Sequence, residues 1–399
     1  MRAMASESDI VILEGARTPM AEYNGHFSEV SAIDLGVFAA REALARSRTD
    51  PAEVDHVIFG NALQTSGDAI YGARHVGLKA GVPKEVPALT VNRLCGSGFE
   101  SIVQGAHRIL LGEATTVLAG GMENMSQAPH VIRGARRGFR FGQGQLEDSL
   151  MVALLDSWCG LYMAQTSDRV AAKYGISREE QDEYALSSQK RAAAAWDSCR
   201  LSEEVVPVEV KSGRKGVLVE RDDHMRPDAT MEALAKLPPS FGKDGQVTAG
   251  NASGIVDGAA AVVVTSAENA ERKGMKPLAR LVSWAVVGCE PELMGLGPAP
   301  AARAALAKAG LSKEDVDLWE VNEAFAGQIL GVVRELDLDR DKLNVNGGAI
   351  ALGHPLAASG TRLALTLAKE LRRRGARYGL ASACIGGGQG IAVVLESAA

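Results

Sequence analysis

The sequence predicts an α/β layered fold with largely parallel sheet, and three observations carry that expectation. Short apolar, β-branched runs alternate with helical patterns at both ends of the chain. The order of those runs in the first third returns in the last third. The stretch between them has a different texture, long and rich in loops.

In the first third, residues 10–13 read as a strand, 32–46 as a helix and 57–60 as a strand. Residues 90–94 read as a strand, 100–111 as a helix and 116–119 as a strand. In the last third, 278–283 read as a strand, 300–309 as a helix and 318–321 as a strand. A helix over 360–373 and a strand over 378–383 follow. The echo extends to residues. Ala43-Leu44-Ala45-Arg46 precedes Val54-Asp55 at the spacing by which Ala305-Leu306-Ala307-Lys308 precedes Val316-Asp317. Ser97-Gly98 and Ser359-Gly360 stand at the same offset. Two copies of one αβ unit are expected, over residues 1–121 plus 250–275 and over 276–399. Residues 122–249 read as an inserted loop domain, with an Arg/Gly segment at 133–144 and a long helix at 178–195. An apolar run at 259–265 reads as a strand returning to the first copy.

The chain has 399 residues, 46% apolar and 23% charged, ample for a sizeable core. A net charge of −6 argues against a nucleic-acid partner. Cysteines at 95, 159, 199, 289 and 384 form neither a CxxC pair nor a zinc spacing, so free thiols in a reducing compartment are expected. No apolar run approaches the length of a membrane span. The first nine residues lack the character of a leader, and the last four are not a peroxisomal address, so a cytoplasmic location is expected.

Chemistry concentrates at inferred strand ends. Cys95 closes Thr90-Val91-Asn92-Arg93-Leu94-Cys95 and precedes Gly96-Ser97-Gly98 and a helix. Backbone N–H groups and the helix dipole there are expected to favour its thiolate. A thiolate can attack an acyl carbonyl and hold the acyl group as a thioester. A small buried hydrophobe is the other reading. His354 stands in Gly347-Gly348-Ala349-Ile350-Ala351-Leu352-Gly353-His354-Pro355. Cys384 precedes Ile385-Gly386-Gly387-Gly388-Gln389-Gly390, and Asn322 precedes Glu323-Ala324-Phe325-Ala326. Singly, each has a bland reading: a structural histidine, a tight glycine turn, a helix cap. Together they offer a nucleophile, a base, a second thiol able to move a proton at carbon, and glycine amides for an oxyanion hole.

Along nearly its whole length the sequence resembles the thiolase family of acetyl-CoA acetyltransferases and 3-ketoacyl-CoA thiolases. The resemblance rests on Glu14-Gly15-Ala16-Arg17-Thr18-Pro19, the Cys95 motif, Gly120-Gly121-Met122-Glu123-Asn124-Met125-Ser126, the 248–254 turn and the His354, Asn322 and Cys384 motifs. It implies a duplicated α-β-α-β-α thiolase-like layering with the loop domain inserted. It also implies a reversible Claisen condensation or thiolysis of 3-ketoacyl-CoA, in β-oxidation or in synthesis. Cys95 would carry the acyl group, His354 would activate it, and Cys384 would be acid and base at the α carbon. Asn322, through a water, and His354 would form one oxyanion hole, and the amides of Cys95 and Gly386 the other. No metal or organic cofactor is implied, since coenzyme A is substrate and product.

The resemblance further places CoA against Arg226, Ala249, Ser253 and Phe325, and implies a homodimer or homotetramer. Arg226 also reads as a surface arginine and Ser253 as turn chemistry. The arginines at 133, 136, 137 and 140 could attract phosphates, or simply solvate a loop. Leu161-Tyr162-Met163-Ala164-Gln165-Thr166-Ser167-Asp168 departs from the family's short-chain members: Tyr162 stands for a histidine, Ala164 for a glycine and Asp168 for a glutamate. Tyr162 and Met163 would line the acyl channel, so acyl chain length is open. A thiolase for longer or branched chains and a non-catalytic acyl-CoA or lipid binder are the alternatives. Ketoacyl synthase relatives share the fold but usually lack the second cysteine, so Cys384 discriminates against them.

Overall fold

The repeat in the sequence becomes a repeat of strand order. The computed structural model describes residues 9–212 and 215–398. Residues 1–8 and Ala399, on which the expectations about leader and C-terminal address largely fall, lie outside the described residues. The main strands are β1 (Ile10–Arg17), β2 (His56–Gly60), β3 (Ala88–Val91), β4 (Thr116–Glu123) and β5 (Val256–Ser266) in the first half. The second half has β6 (Ala279–Gly288), β7 (Leu318–Val321), β8 (Tyr378–Ile385) and β9 (Gln389–Ser397). They form one sheet in the order β7-β8-β9-β6-β1-β5-β4-β2-β3, and the short strand Ala21–Glu22 adds a tenth against β5.

Outward from the central β6·β1 seam the two sides match. β1 pairs antiparallel with β5, as β6 does with β9; β5 pairs antiparallel with β4, as β9 does with β8. β4 pairs parallel with β2, as β8 does with β7. The expectation of a largely parallel sheet is therefore corrected: parallel pairing is confined to the outer strands. The reason lies in the connections. Only three residues, Gly386 to Gly388, join β8 to β9, and so short a turn can build only an antiparallel pair.

Helices cover both faces, so most strands are apolar on both sides. The helices that matter for the site are α1 (Ala32–Ser47), α2 (Ser97–Leu110), α3 (Met163–Tyr174) and α4 (Arg178–Asp197). α5 (Pro298–Ala309), α6 (Ala326–Leu336) and α7 (Leu356–Arg374) complete the set. Strand alternation sorts the core into three apolar clusters. Val57, Phe59 and Leu118 meet Ile33, Leu35 and Leu44 of α1 in an outer layer. Ile58, Val117 and Ala119 face inward with Ala381 and Ala383, against Phe99 and Ile102 of α2 and Leu363 and Leu367 of α7. Leu380 and Val394 meet Leu306 of α5 and Ile329 of α6 in the other outer layer. The α-β-α-β-α layering is thus present, with its two β layers joined into one sheet through three residue pairs, Ile10 to Ile12 with Leu281 to Ala279.

Local sequence starts and stops these helices. Ser31 caps α1 by accepting the N–H of Asp34 at 3.1 Å, and Ser177 with Glu180 forms a capping box at the head of α4. Gly375 ends α7 in the left-handed conformation, behind three arginines that suit the C-terminal end of the helix dipole. The inserted segment is clasped from β1: Arg17 donates to Glu204 at 2.6 Å and to Asp222 at 2.6 Å, all three buried. Among the described residues, no helix is long and apolar enough to cross a membrane.

Candidate active site

Cys95 is delivered by a strained turn. β3 ends at Val91, and Leu94 adopts φ 46°, a left-handed conformation rare for leucine. The turn is closed by Ser97, whose Oγ accepts the Arg93 N–H at 2.8 Å and donates to the Leu94 carbonyl at 2.7 Å. Cys95 thus sits in a 3₁₀ turn, Leu94–Gly96, just before α2. Burial pushes its thiol up to about 11, although the N–H groups of Gly386 and of Cys95 itself face the sulfur and favour the thiolate; the Glu123 charge adds to the rise. Cys95 is only partly buried, yet desolvation of its thiol outweighs the amides that were expected to favour the thiolate.

His354 follows Gly353, whose φ of 92° and contact with Val256 exclude a side chain. Its own N–H donates to the Gly254 carbonyl at 2.9 Å, which ties the histidine loop to the 250–254 turn. Its ring lies between two polar partners, Ser359 Oγ at 2.6 Å from Nδ1 and Asn322 Nδ2 at 3.3 Å from Nε2. Ser359 donates to the Pro355 carbonyl at 3.2 Å. Ser359 thus holds the ring from its Nδ1 side, and Nε2 faces Asn322. Burial, and then the Arg362 charge, lower the imidazole to about 3, so the ring is neutral.

Asn322 is not a helix cap, because α6 starts only at Ala326 with Phe325 in the cap position. Its buried Oδ1 has no hydrogen-bond partner among the described residues. Cys384 lies one residue inside the end of β8, paired with Gly390. Gly387 and Gly388, at φ 83° and 82°, make the turn that follows. The Cys384 thiol is held well above its ordinary range, first by burial and then by the nearby Cys95.

Cys95, His354 and Cys384 meet in one pocket of about 190 Å³, whose wall also holds Tyr162, Met163, Ser253 and Phe325. The Ser253 N–H donates to the Ala324 carbonyl at 3.0 Å and the Ala326 N–H to the Asn251 carbonyl at 2.8 Å, so two loops form this wall together. Tyr162 packs its ring against Phe241, with centroids 5.3 Å apart. Asn322 stands behind His354, and the Gly386 amide reaches Cys95.

Arg226 and Ala249 are exposed and are not part of the pocket wall. Arg226 pairs with Glu22 and donates to the carbonyls of Asp223, His224 and Met225. Arg133 pairs with Glu147 on the exposed loop. A wider concavity of about 900 Å³ lies elsewhere, lined by Glu22, Glu29, Asp34 and Asp223 among others, and holds none of the reactive groups. The smaller pocket has the chemistry.

Sequence reasoning missed several members of the site. Phe241, Leu154 and Met294 complete the wall from distant segments. Ser359 was legible only as a repeat marker, although a hydroxyl five residues after the histidine, at the head of a helix, is a usable signal. Glu123 sits inside a quoted motif, and its buried carboxyl takes the N–H groups of Ala62, Leu63 and Ala357 and the Asn61 amide. Burial raises it to about 7 against the pull of those donors. It fastens the head of α7, and with it His354, to β4. Asp168 accepts the Gln246 N–H at 2.9 Å and is not in the wall, so its replacement of a glutamate does not touch the channel.

The fold and the paired thiols define a class, and comparison with known proteins agrees. Residues 10–268 match the family model for the thiolase N-terminal domain, and residues 275–397 the thiolase C-terminal domain. The chain belongs to the thiolase family. It is 54% identical to human mitochondrial 3-ketoacyl-CoA thiolase over 397 residues, which cover 99% of this chain and 100% of that protein. It is 48% identical to an acetyl-CoA acetyltransferase of Chromobacterium violaceum over 391 residues, covering 97% and 99%. The crystal structure of the human enzyme in complex with CoA superposes with a TM-score of 0.95, covering 100% of each chain at 54% identity. That of the Bacillus anthracis acetyl-CoA acetyltransferase superposes with a TM-score of 0.96 at 43% identity, covering 99% and 100%.

Proposed function

We propose that this chain transfers acyl groups between CoA thiols by reversible thiolysis and condensation of 3-ketoacyl-CoA. In thiolysis, 3-ketoacyl-CoA and CoA give acetyl-CoA and an acyl-CoA shorter by two carbons. The convergence of two thiols, Cys384 buried and Cys95 partly so, and one neutral imidazole on a single apolar pocket carries this reading.

Cys95 is the nucleophile. As its sulfur bonds to the 3-keto carbon, its proton passes to the His354 ring at Nε2. The oxygen that gains charge is met by the N–H groups of Cys95 and Gly386. The bond between carbons 2 and 3 breaks, and Cys384 gives its proton to the departing α carbon. Condensation runs the same steps backwards, with Cys384 as base. His354 and Asn322, through a water, stabilise the thioester oxygen of the acetyl-CoA half. CoA then takes the acyl group from Cys95: the CoA thiol proton passes to Cys384, and the released Cys95 sulfur takes back the proton held by His354. A thiol kept neutral by burial suits this chemistry, because it becomes charged only when an acyl carbonyl is there to receive it.

Coenzyme A is substrate and product, and no metal or organic cofactor takes part. Ser253, Phe325 and Met163 line its pantetheine arm, and Arg226 and Ala249 stand further out toward its nucleotide. The apolar wall of Tyr162, Phe241 and Leu154 favours a short acyl group. It would equally suit a longer chain if the two rings swing apart, which is the second reading. The units of this machine are residues 1–121 with 250–275, the inserted 122–249 and 276–399, assembled as a homodimer or homotetramer. The expected cytoplasmic site stands beside relatives whose names place them in mitochondria.

The test is turnover of acetoacetyl-CoA with CoA, followed by loss of its enolate absorbance. Wild type without turnover, or Cys95→Ala with full turnover, would sink the reading. Cys384→Ser is expected to keep acetyl transfer to Cys95 while carbon–carbon chemistry falls.

A further inference from the structure

Behind His354 lies a buried charge pair that the mechanism above leaves unused. Glu320 Oε2 and Arg362 Nη1 are 3.7 Å apart, and both side chains are 2% exposed. That separation is too long for a hydrogen bond. Neither carboxylate oxygen of Glu320 and neither Nη of Arg362 has a hydrogen-bond partner among the described residues. Burial raises the Glu320 carboxyl and lowers the Arg362 guanidinium, and each charge opposes that shift in the other. Such a pair is a poor device for stability, since an apolar pair of similar volume serves a core as well or better. Its position suggests another use.

Glu320 lies on β7 and Asn322 directly follows its last residue, still paired to β8 through its N–H to the Ser382 carbonyl at 2.9 Å, so continued alternation puts both on one face. Arg362 lies on α7, three residues after Ser359, on the same helix face. β7 and α7 are therefore joined by two neighbouring rungs. One is Asn322, the His354 ring and Ser359, with contacts of 3.3 and 2.6 Å. The other is Glu320 and Arg362. A shift of either element would move Asn322 away from Ser359 and tilt the ring between them. The Arg362 charge also acts on that ring.

We propose that Glu320 and Arg362 are positioning residues: their pair fixes the spacing of β7 and α7, and so the orientation of His354 for acyl transfer to Cys95. The inference rests on the acyl-transfer role given above to Cys95 and His354. Neither residue touches the pocket, so substrate affinity should be spared while the chemical step suffers.

Two variants test it: Glu320→Gln, which keeps the shape, and the apolar double variant Glu320→Leu with Arg362→Met. Thermal unfolding, the rate of Cys95 acetylation by acetyl-CoA (read by intact mass) and steady-state kinetics are measured for each. Both are expected to fold, Glu320→Gln with the lower unfolding temperature because Arg362 then keeps a buried charge without its partner. Acetylation rate and kcat should fall about 10- to 100-fold, the scale for a misplaced catalytic group, with KM nearly unchanged. A folded variant that acetylates Cys95 at the wild-type rate overturns the proposal, and if only one of the two variants folds, that one decides alone. Wild type that is never acetylated overturns the acyl-transfer reading as well, so the two failures are told apart.

Discussion

Ser359 Oγ stands 2.6 Å from His354 Nδ1 while donating to the Pro355 carbonyl, and this contact decides which ring nitrogen faces Asn322. With Nδ1 held by the serine, Nε2 is the ring nitrogen that faces Asn322. The serine stands at the head of α7, within one turn of the histidine it orients.

Ser359→Ala is therefore expected to free the ring and scramble its tautomer. We expect kcat to fall about 10- to 100-fold, part of the range that a positioned base supplies. KM should hold, and Ser359→Thr should recover part of the loss. Steady-state kinetics on the three proteins check this; an alanine variant with wild-type kcat would refute it.

The resting charge state predicts two pH dependences. With the Cys95 thiol at about 11, its alkylation by iodoacetamide should rise about tenfold per pH unit from pH 7 to 10, without a plateau. A plateau near neutrality would point to a thiolate. For His354 the pKa falls from 6.5 in the unfolded chain to about 3 in the folded one. Its contribution to stability is complete above 6.5 and is lost as pH falls from there toward 3. His354→Asn removes that term. Wild type should lose more stability than the variant between pH 7 and 4.5, as measured by urea midpoints; equal losses would contradict it.

Tyr162 and Phe241 close the apolar end of the pocket with rings 5.3 Å apart. Tyr162→Ala should open that end. The ratio of kcat/KM for a longer 3-ketoacyl-CoA to that for acetoacetyl-CoA is expected to rise about tenfold or more, the scale of one or two added methylenes in an apolar pocket. A chain-length series that leaves the ratio unchanged would place the acyl group elsewhere.

Gly98 and Gly360, related by the repeat, meet where α2 crosses α7. A Cβ on Gly98 would lie 2.5 Å from the Thr361 nitrogen and 2.7 Å from the Ala357 oxygen, both backbone atoms that cannot yield. Gly98→Ala is expected to lower stability by about 3 kcal/mol through overpacking. Gly112→Ala, at φ 72° with open space around it, should lose only about 1 kcal/mol, from backbone strain. Denaturant unfolding of the two variants separates these cases, and similar losses would remove the crossing as the cause.

Much of this protein was written locally. Periods of two and of 3.6 residues marked β1, β2, β4 and the helices α1, α2, α4, α5 and α7, with ends moved by a few residues, while α3 and α6 went unmarked. α2 begins at Ser97 and α7 at Leu356, both earlier than their apolar patterns, because small residues at the crossing carry no apolar signal. The pairing of Ser97-Gly98 with Ser359-Gly360 announced the duplication, and the motif order announced the family and the residues that share the pocket.

Other features depend on atoms far apart in the chain, and sequence alone left them open. Strand direction followed from where β5 and β9 insert, so the inner sheet is antiparallel. The Arg17 clasp on Glu204 and Asp222 joins segments that no local pattern connects. The protonation of Cys95 was the sharpest difference. Its helix-side position argued for a thiolate, and burial of its thiol, beside the 252–254 loop, outweighs the amides. The physical reason is one of range. Backbone propensity and side-chain period act over a few residues and can be read along the chain, whereas desolvation sums over every segment that packs around a group, and only the folded chain sets that sum.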